Sequence, residues 1–587
     1  MSLGLALNNA LAGMAVSKTA IDVLSNNIAN VNTPGYTRKL LGQESVVLGG
    51  QGAGVAVSNI TRQVSDILIQ DLRNERSTLG AAEAKDFFYA RMQDLFGTPG
   101  SNSALSANVS EFAATLERVA TTPESVTFRT QAVTAGVTLA SRLNEYARQI
   151  QRLRVNAELS ISDSVRVVNE QLGVIADLNK KIFTLQAIGQ STADLEDTRD
   201  QALQTVAEHM DIATFTRASG EVVVLTGTGQ VLADLTASSL TYSPVGGVDA
   251  SVTYPGGFGP ISLNGVDLTT TIASGRIAAL VNMRDGALPT LNAELDRLAL
   301  SLCEEVNKIH NDGAGYPPAA ALTGTTAITG GGAAAFSGTG TVRIAVVNSD
   351  GTFAAAPIDF NLASAATVGA VVTAINTALG ADGTAALNAS NQLVITATGA
   401  GRGIAINEGT SAVGGKGFSH YFGLNDLFVG STTPSMAQQI AVRSDIVANP
   451  NLLSAGELSE ITAGSVTVNA TPAVTPGNNL VAQRLANKFN ERLSIPAAGG
   501  LPASSSTFAE YASQIVALNS TKAKESSSRL SFEKTLFEDL SLRAGSFSGV
   551  NLDEELANLV VFENAYSASA RVVTAIADMM KVLEELI

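Results

Sequence analysis

A chain of 587 residues has room for three or four domains. Its 15% charged and 5% aromatic residues, with no Trp, argue against an ordinary enzyme built on one large core, while 45% hydrophobic residues place it well outside the disordered class. The net charge of −16 argues against a nucleic-acid partner, which needs a basic face.

The first residues, MSLGLALNNALAGMAVSKTA, lack a cationic start, an unbroken apolar block and a small-residue cleavage site, so no cleavable signal peptide is expected. No run of 18 or more apolar residues occurs, and no membrane insertion is expected. Leu7, Met14, Ile21 and Ile28 recur every seven residues, and Leu3, Ala10, Leu24 and Val31 form a companion row. That spacing predicts a coiled-coil-type helix of about four heptads.

The helix runs into LSNNIANVNTPGYTRKL, residues 24–40. Asn26, Asn27, Asn30 and Asn32 bond nearby backbone more readily than they fill a helix interior. Pro34 turns Thr33 away from helix, Gly35 permits a positive φ, and Tyr36 follows as an anchor with one polar handle. By composition alone this is a helix stop that re-aims the chain. The glycine cluster at 49–54 lies between strand-like VVL and VAV, so it reads as a hairpin and not as a phosphate loop.

Long helices follow. Leu139, Leu143, Tyr146, Ile150 and Leu153 keep helical spacing, and Ile161, Val165, Val168, Leu172, Ile175, Ile182 and Leu185 continue it. Residues 211–275 change to short strands and turns around Gly and Asn-Gly. Leu291, Leu295, Leu298, Leu302 and Ile309 mark a helix after Pro289 that stops before Asn311-Asp312-Gly313. Residues 315–430 are rich in Gly, Ala and Thr, with strands at VRIAVVNSDGTF and ALNASNQLVITATG and one helix at AATVGAVVTAINTAL. Helical spacing returns over Leu480–Leu493 and Phe508–Leu542. It ends in a heptad row of Leu552, Leu559, Tyr566, Val573, Met580 and Ile587, flanked by Leu556, Phe562, Ala570, Ile576, Ala577 and Leu583.

The order helix, β, helix, β, helix implies nested, discontinuous domains. The expected fold is multidomain α+β: coiled-coil-type terminal helices, a helical bundle rod, and inserted β-rich outer domains. The expected parts are 1–40 with 548–587 as an inner axial core; 41–210, 276–314 and 431–547 as the rod; 211–275 as a small β-rich domain; and 315–430 as a variable outer insert. One helix pair has one seam and cannot bury both apolar rows of each helix. Both ends are therefore expected to be disordered or loosely docked in a lone molecule and to order on assembly with other copies.

Catalytic chemistry is not visible. His209, His310 and His420 have no zinc-like spacing, and no HExxH occurs. Cys303 and His310 stand about 10 Å apart along one helix, too far for a nucleophile and its base. The single cysteine excludes an internal disulfide and reads as a small buried thiol. Glu304 with Glu305, and Asp553 with Glu554 and Glu555, read as solvated faces. No catalytic, cofactor or metal site is expected.

The whole string from Ser25 to Arg38 resembles the N-terminal signature of flagellar axial proteins, the rod, hook and hook-associated subunits. SGVNLDEELANLVVFENAYSASARVV (548–573) resembles their C-terminal signature, and NLDEELANL with AYSASARVV is closest to the hook-associated protein 1 family. DLEDTRDQALQTVAEHMDI (194–212), GRIAALVNMRDGALP (275–289) with the helix after it, and HYFGLNDLF (420–428) resemble further segments of that family. The 315–418 stretch departs from it and vaguely resembles flagellin-type inserts.

The resemblance implies a structural subunit without enzymatic activity that assembles as a ring at the distal end of the hook and joins hook to filament. It implies export through the flagellar type III apparatus without a cleaved signal peptide, to an extracellular place in the bacterial flagellum. Implied partners are copies of itself, the hook protein, a second junction protein or flagellin, and a cytoplasmic chaperone on the C-terminal helix. The heptad rows from Leu7 to Ile28 and Leu552 to Ile587 would form the axial interface, and Asn27, Asn30, Asn32, Pro34, Gly35 and Tyr36 the signature turn. The alternatives are another axial subunit, hook or rod, or a secreted adhesin or enzyme carried on flagellar-type ends.

Overall fold

The structure, a computed structural model, describes residues 3–48, 50–96 and 105–585. Ile587, the last member of the C-terminal row, lies outside the described residues. The chain opens with helix α1 (Leu3–Ala29), followed by an antiparallel hairpin of β1 (Lys39–Leu48) and β2 (Gln51–Arg62). The predicted hairpin around 49–54 is thus present. Its ladder is interrupted by register shifts at Gly42/Gln43 and Ser45/Val47.

A helical body follows: α2 (Asp66–Phe96), α3 (Leu105–Thr121), α4 (Val126–Ala187) and α5 (Ala193–His209). Both central stripes lie on α4, one 62-residue helix about 90 Å long at 1.5 Å per residue. It starts at Ser125, whose hydroxyl accepts from Phe128 N at 3.3 Å. Leu143, Ile150, Ile161, Val168, Leu172 and Ile175 on this helix are fully buried.

Residues 211–275 form two three-stranded antiparallel sheets. Val222, Val224, Leu232 and Leu263 from these sheets, with Ile261 beside them, join the same continuous core as the helices. Asn179 on α4 ties them down: its amide donates to Val222 O and Asp234 O, both at 2.8 Å, and its oxygen accepts from Val222 N at 3.0 Å.

Helix α6 (Gly275–Asn282) passes through a wide π-type turn, Met283–Ala287, into α7 (Leu288–His310). That turn carries Arg284 inward, where its guanidinium meets Glu158 of α4 at 2.7 Å, both side chains being fully buried.

The β-rich insert has its own core. The strand Thr341–Asn348 pairs antiparallel with Ile358–Asn361 on one side and Arg402–Asn407 on the other. A second sheet joins 383–387, 393–397 and 321–323, and α8 (Val368–Leu379) packs with both. The other face of the first sheet, at Ala345, Val347 and Ala405, is covered by Leu458, Ala473 and Val474, so the chain beyond residue 430 returns over the insert.

The helical body resumes with α9 (Leu480–Asn490) and α10 (Phe508–Ser548). Contrary to the periodicity, which runs on to Leu493, α9 stops at Asn490. Leu493–Ile495 instead form a strand against Ser504–Ser506, whose ladder supplies the backbone partners. Helix α10 begins with a reciprocal capping box between Thr507 and Glu510. The last element is α11 (Leu552–Glu585), folded back along α1.

Candidate assembly interface

Helices α1 and α11 run antiparallel in a register set by two contacts. Gly13 lies against Ser569, where an added Cβ would stand 3.2 Å from the hydroxyl, and Asn27 donates to Glu555 at 3.0 Å. The two contacts are fourteen residues apart on each helix, four turns at coiled-coil spacing.

The shared seam is made of Ala10, Ser17, Ala20, Leu24 and Asn27 on α1, all buried. On α11 only Glu555 and Ile576 are buried, with Phe562 half-buried. Small side chains at positions 10, 13, 17 and 20 let the axes approach closely. The pair therefore meets through the companion rows, and the predicted principal rows flank the seam. Leu7, Met14, Ile21 and Ile28 are half-buried, as are Leu559 and Val573, while Leu552, Tyr566 and Met580 are exposed.

A second stripe of α11 is barer still: Val561 is 61% exposed, Val572 46% and Met579 50%. Leu556 and Val560 are exposed as well, on another side of the helix near its base. Exposed apolar surface on several sides of one helix is a common mark of an interaction site.

At the base of the pair, the signature turn joins four elements. Asn27 is fully buried with its carboxamide saturated. The amide donates to Lys39 O and Glu555 Oε2, both at 3.0 Å, and the oxygen accepts from Lys39 N at 3.0 Å and the Tyr36 hydroxyl at 2.9 Å. Asn30 closes the helix end locally, donating to Asn26 O at 3.0 Å and accepting from the Thr33 hydroxyl at 3.1 Å. Asn32 and Pro34 are exposed, and Pro34 O accepts from Gln201 of α5 at 2.9 Å.

Gly35 has φ +78°, and a Cβ there would fall 2.1 Å from Gln201 Nε2. Only glycine fits both the left-handed backbone and the close approach of α5. Burial, then the carboxylates of Asp194, Asp197 and Glu555, push the Tyr36 phenol above its ordinary range.

Charge completes the joint. Arg38 donates to Glu555 at 2.7 Å and Glu554 at 2.8 Å, and its backbone N–H donates to Ser548 O at 2.8 Å. Asp197 of α5 accepts from the backbone and hydroxyl of Thr37, from the Lys39 ammonium and from Arg62 at 3.0 Å. Arg62 reaches Asp200 as well, at 2.7 Å.

Glu555 thus corrects the sequence reading: Glu554 is solvated, but Glu555 is fully buried because Arg38 and Asn27 satisfy it. Sequence reasoning singled out neither Glu555 nor Asp197, Lys39 and Arg62 as functional. For Glu555, Asp197 and Lys39 the one available signal was a place in or beside a segment resembling the axial family; Arg62 had none.

His310 and Cys303 are built into the packing of the body. His310 is fully buried: Nδ1 lies 2.6 Å from Asn425 O, and Nε2 accepts from Ser454 N at 2.9 Å, which specifies the neutral ring protonated at Nδ1. With Asn307 and Asn311 it anchors the 425–428 segment to the end of α7. The Cys303 thiol is partly buried, 3.5 Å from Phe428 O, and burial pushes its pKa up to about 12. Among the described residues no group of three or more His, Cys, Asp or Glu could hold a metal ion, and no helix is long and apolar enough to cross a membrane.

Burial pulls the His310 pKa from 6.5 down to about 4. The folded state therefore binds fewer protons than the unfolded one. Its contribution is complete above pH 6.5 and is lost as pH falls through 4, a change of about 3 kcal/mol. Denaturant titrations at stepped pH should show His310→Gln losing less stability than the parent between pH 6.5 and 4. An identical slope in both would contradict this assignment.

Comparison with known proteins fits this arrangement. The family profile described as Flagellar hook-associated protein FlgK helical domain matches residues 89–321. Those of Flagella basal body rod protein and Flagellar basal body rod FlgEFG protein C-terminal match residues 7–37 and 545–586. Flagellar hook-associated protein 1 of Escherichia coli (strain K12) is 23% identical over 327 residues, 52% of this chain and 57% of that protein. The protein of the same name from Bacillus subtilis (strain 168) is 21% identical over 341 residues, 52% of this chain and 67% of that protein. The matched region thus spans little more than half the length of the first of these relatives.

A solved structure, that of the flagellar hook junction protein FlgK from Burkholderia pseudomallei, shares the fold. Its TM-score is 0.51 at 13% identity, covering 81% of this chain and 99% of that one. The hook-associated helical domain is thus matched along the helical body, and rod-family segments are matched at the two helices that pair along one seam.

Proposed function

We propose that this protein is a structural subunit that assembles with copies of itself at the distal end of the hook and joins hook to filament. One observation carries the reading: the first and last helices pair through a single seam and leave the predicted heptad rows at its flanks, with most large side chains of α11 open to solvent. A helix 34 residues long with two buried residues is an unfinished interface. Copies packed around a common axis would cover Leu552, Tyr566 and Met580 together with the Val561–Met579 stripe.

The same bare face needs cover before assembly, which supports a cytoplasmic chaperone on α11 and export of the chain through the flagellar apparatus. The neighbours at the two ends of the ring would be the hook protein and a second junction protein or flagellin. In this reading 315–430 is an outer insert, carried away from the axis, and the role is structural and not enzymatic.

Deletion of residues 552–587 tests the proposal. The shortened protein is expected to stay folded and soluble, because the body's core lies elsewhere, yet to bind no isolated hooks, and cells carrying it should release unattached filament subunit. Hook binding retained by the deletion would refute the assignment of the interface to the terminal pair.

A further inference from the structure

The hairpin β1–β2 does more than connect α1 to the body. Its base is fixed to the body, because Lys39 and Arg62 are register partners and both bond Asp197 of α5. Its far end is fixed to α1. A Cβ at Gly54 would stand 2.9 Å from the Ala12 Cβ and 3.6 Å from the Asn9 Cα, and φ at Gly54 is +111°.

The two lengths match. From Arg62 back to Gly54 is about 26 Å of strand at roughly 3.3 Å per residue. From Asn27 back to Ala12 is about 22 Å of helix at roughly 1.5 Å per residue. The hairpin therefore runs back along α1 from the joint and touches it four turns away.

The terminal pair is linked to the body through only two short crossings. One is 30–38, the other 549–551, and Arg38 bonds across to Ser548, Glu554 and Glu555. Alone, two crossings make a hinge. A contact about 22 Å from the pivot turns it into a triangle, since a swing of roughly 10° would move Ala12 by about 4 Å. Toward the hairpin that motion is blocked by the Gly54 contact; away from it, the motion uncovers the α1 face around Asn9 and Ala12.

We infer that β1–β2 is a strut that sets the angle at which the α1–α11 pair leaves the helical body. Its consequence for assembly rests on the proposed axial role: the angle would decide how neighbouring pairs meet around the axis. The angle itself is a property of the single molecule.

The test is a pulsed electron–electron distance measurement on dilute full-length protein in a Cys303→Ser background. Spin labels go at Phe87 on α2 and Val561 on α11, both exposed. The parent should give one narrow distance distribution. Replacing residues 45–55 with Asn-Gly removes the far end of the strut while keeping its charged base; the narrow distribution should be lost with no change in Tm. Gly54→Val, which crowds Ala12, should shift the mean distance. A broad distribution in the parent, or an unchanged one in the shortened hairpin, would overturn the strut. Hook binding is read separately, on unlabelled protein with Val561 intact: a narrow parent distribution with no attachment of the unlabelled protein to hooks would leave the strut standing and remove the junction reading.

Discussion

Replacing Val561 and Val572 together with Asp is expected to abolish self-association and attachment to hooks while leaving the melting temperature of the body unchanged. Both side chains lie on the bare stripe of α11, and neither belongs to the seam with α1. Burying a valine against a neighbouring copy is worth about 2 kcal/mol. Losing two such contacts removes about 4 kcal/mol, close to a thousandfold in association at about 1.4 kcal/mol per decade. Placing a carboxylate in each desolvated pocket raises the cost further.

Analytical ultracentrifugation and electron microscopy of hooks incubated with purified protein would read the result. Amide exchange on the dilute parent makes the same point without mutation. Protection should be strongest where Asn27, Arg38 and Glu555 lock the base of the pair, and should decline toward residue 585, where the last helix has little cover. Uniform strong protection along α11 in the monomer, or full assembly by the double Asp variant, would end the case for this face.

The second large effect is in the body. Glu158→Ala is expected to destabilise it by about 3–5 kcal/mol, the usual result of removing one partner from a buried ion pair. Glu158 takes Arg284 at 2.7 Å and Val245 N at 3.0 Å. Arg284 also bonds the Tyr242 hydroxyl at 2.7 Å and stacks over Phe258 with 4.1 Å to the ring centroid. Beside it Arg154 donates to Arg284 O at 3.0 Å and Asp249 O at 2.8 Å.

This cluster sews the 240–258 chain onto α4 and the π-type turn, so losing Glu158 leaves the buried Arg284 with only one of its two carboxylate partners and the Val245 N–H without its acceptor. Thermal melts of the parent and of Glu158→Ala, with Glu158→Gln as the isosteric control, would measure the cost. A shift in Tm within error for Glu158→Ala would mean that Asp285, which also pairs with Arg284 at 2.7 Å, suffices by itself.

Much of the architecture could be read before any coordinates. Heptad and helical spacing located α1, α4, α7, α10 and α11 because a buried stripe on a helix must repeat near 3.5 residues. Pro34-Gly35 placed the turn after α1, and the hairpin at 49–54 followed from glycines between two β-type runs. Pattern could not rank the two apolar rows on each terminal helix. That choice depends on which row carries residues small enough for close approach, and Gly13 opposite Ser569 decides it only when both helices are present. The end of α9 was similarly out of reach, since the strand that takes Leu493 has a partner eleven residues further on.

What the amino-acid order determined by itself is local and periodic: which stretches become helix or strand, where the chain must turn, and that its two ends carry more apolar surface than one partner can cover. What only the tertiary structure decided is the meaning of the charges. Asp553, Glu554 and Glu555 are adjacent and chemically alike, yet Glu555 alone is sealed beneath Arg38 and Asn27, more than 500 residues away in sequence. A carboxylate is stable out of water only where donors converge on it, and that convergence is a property of the folded chain.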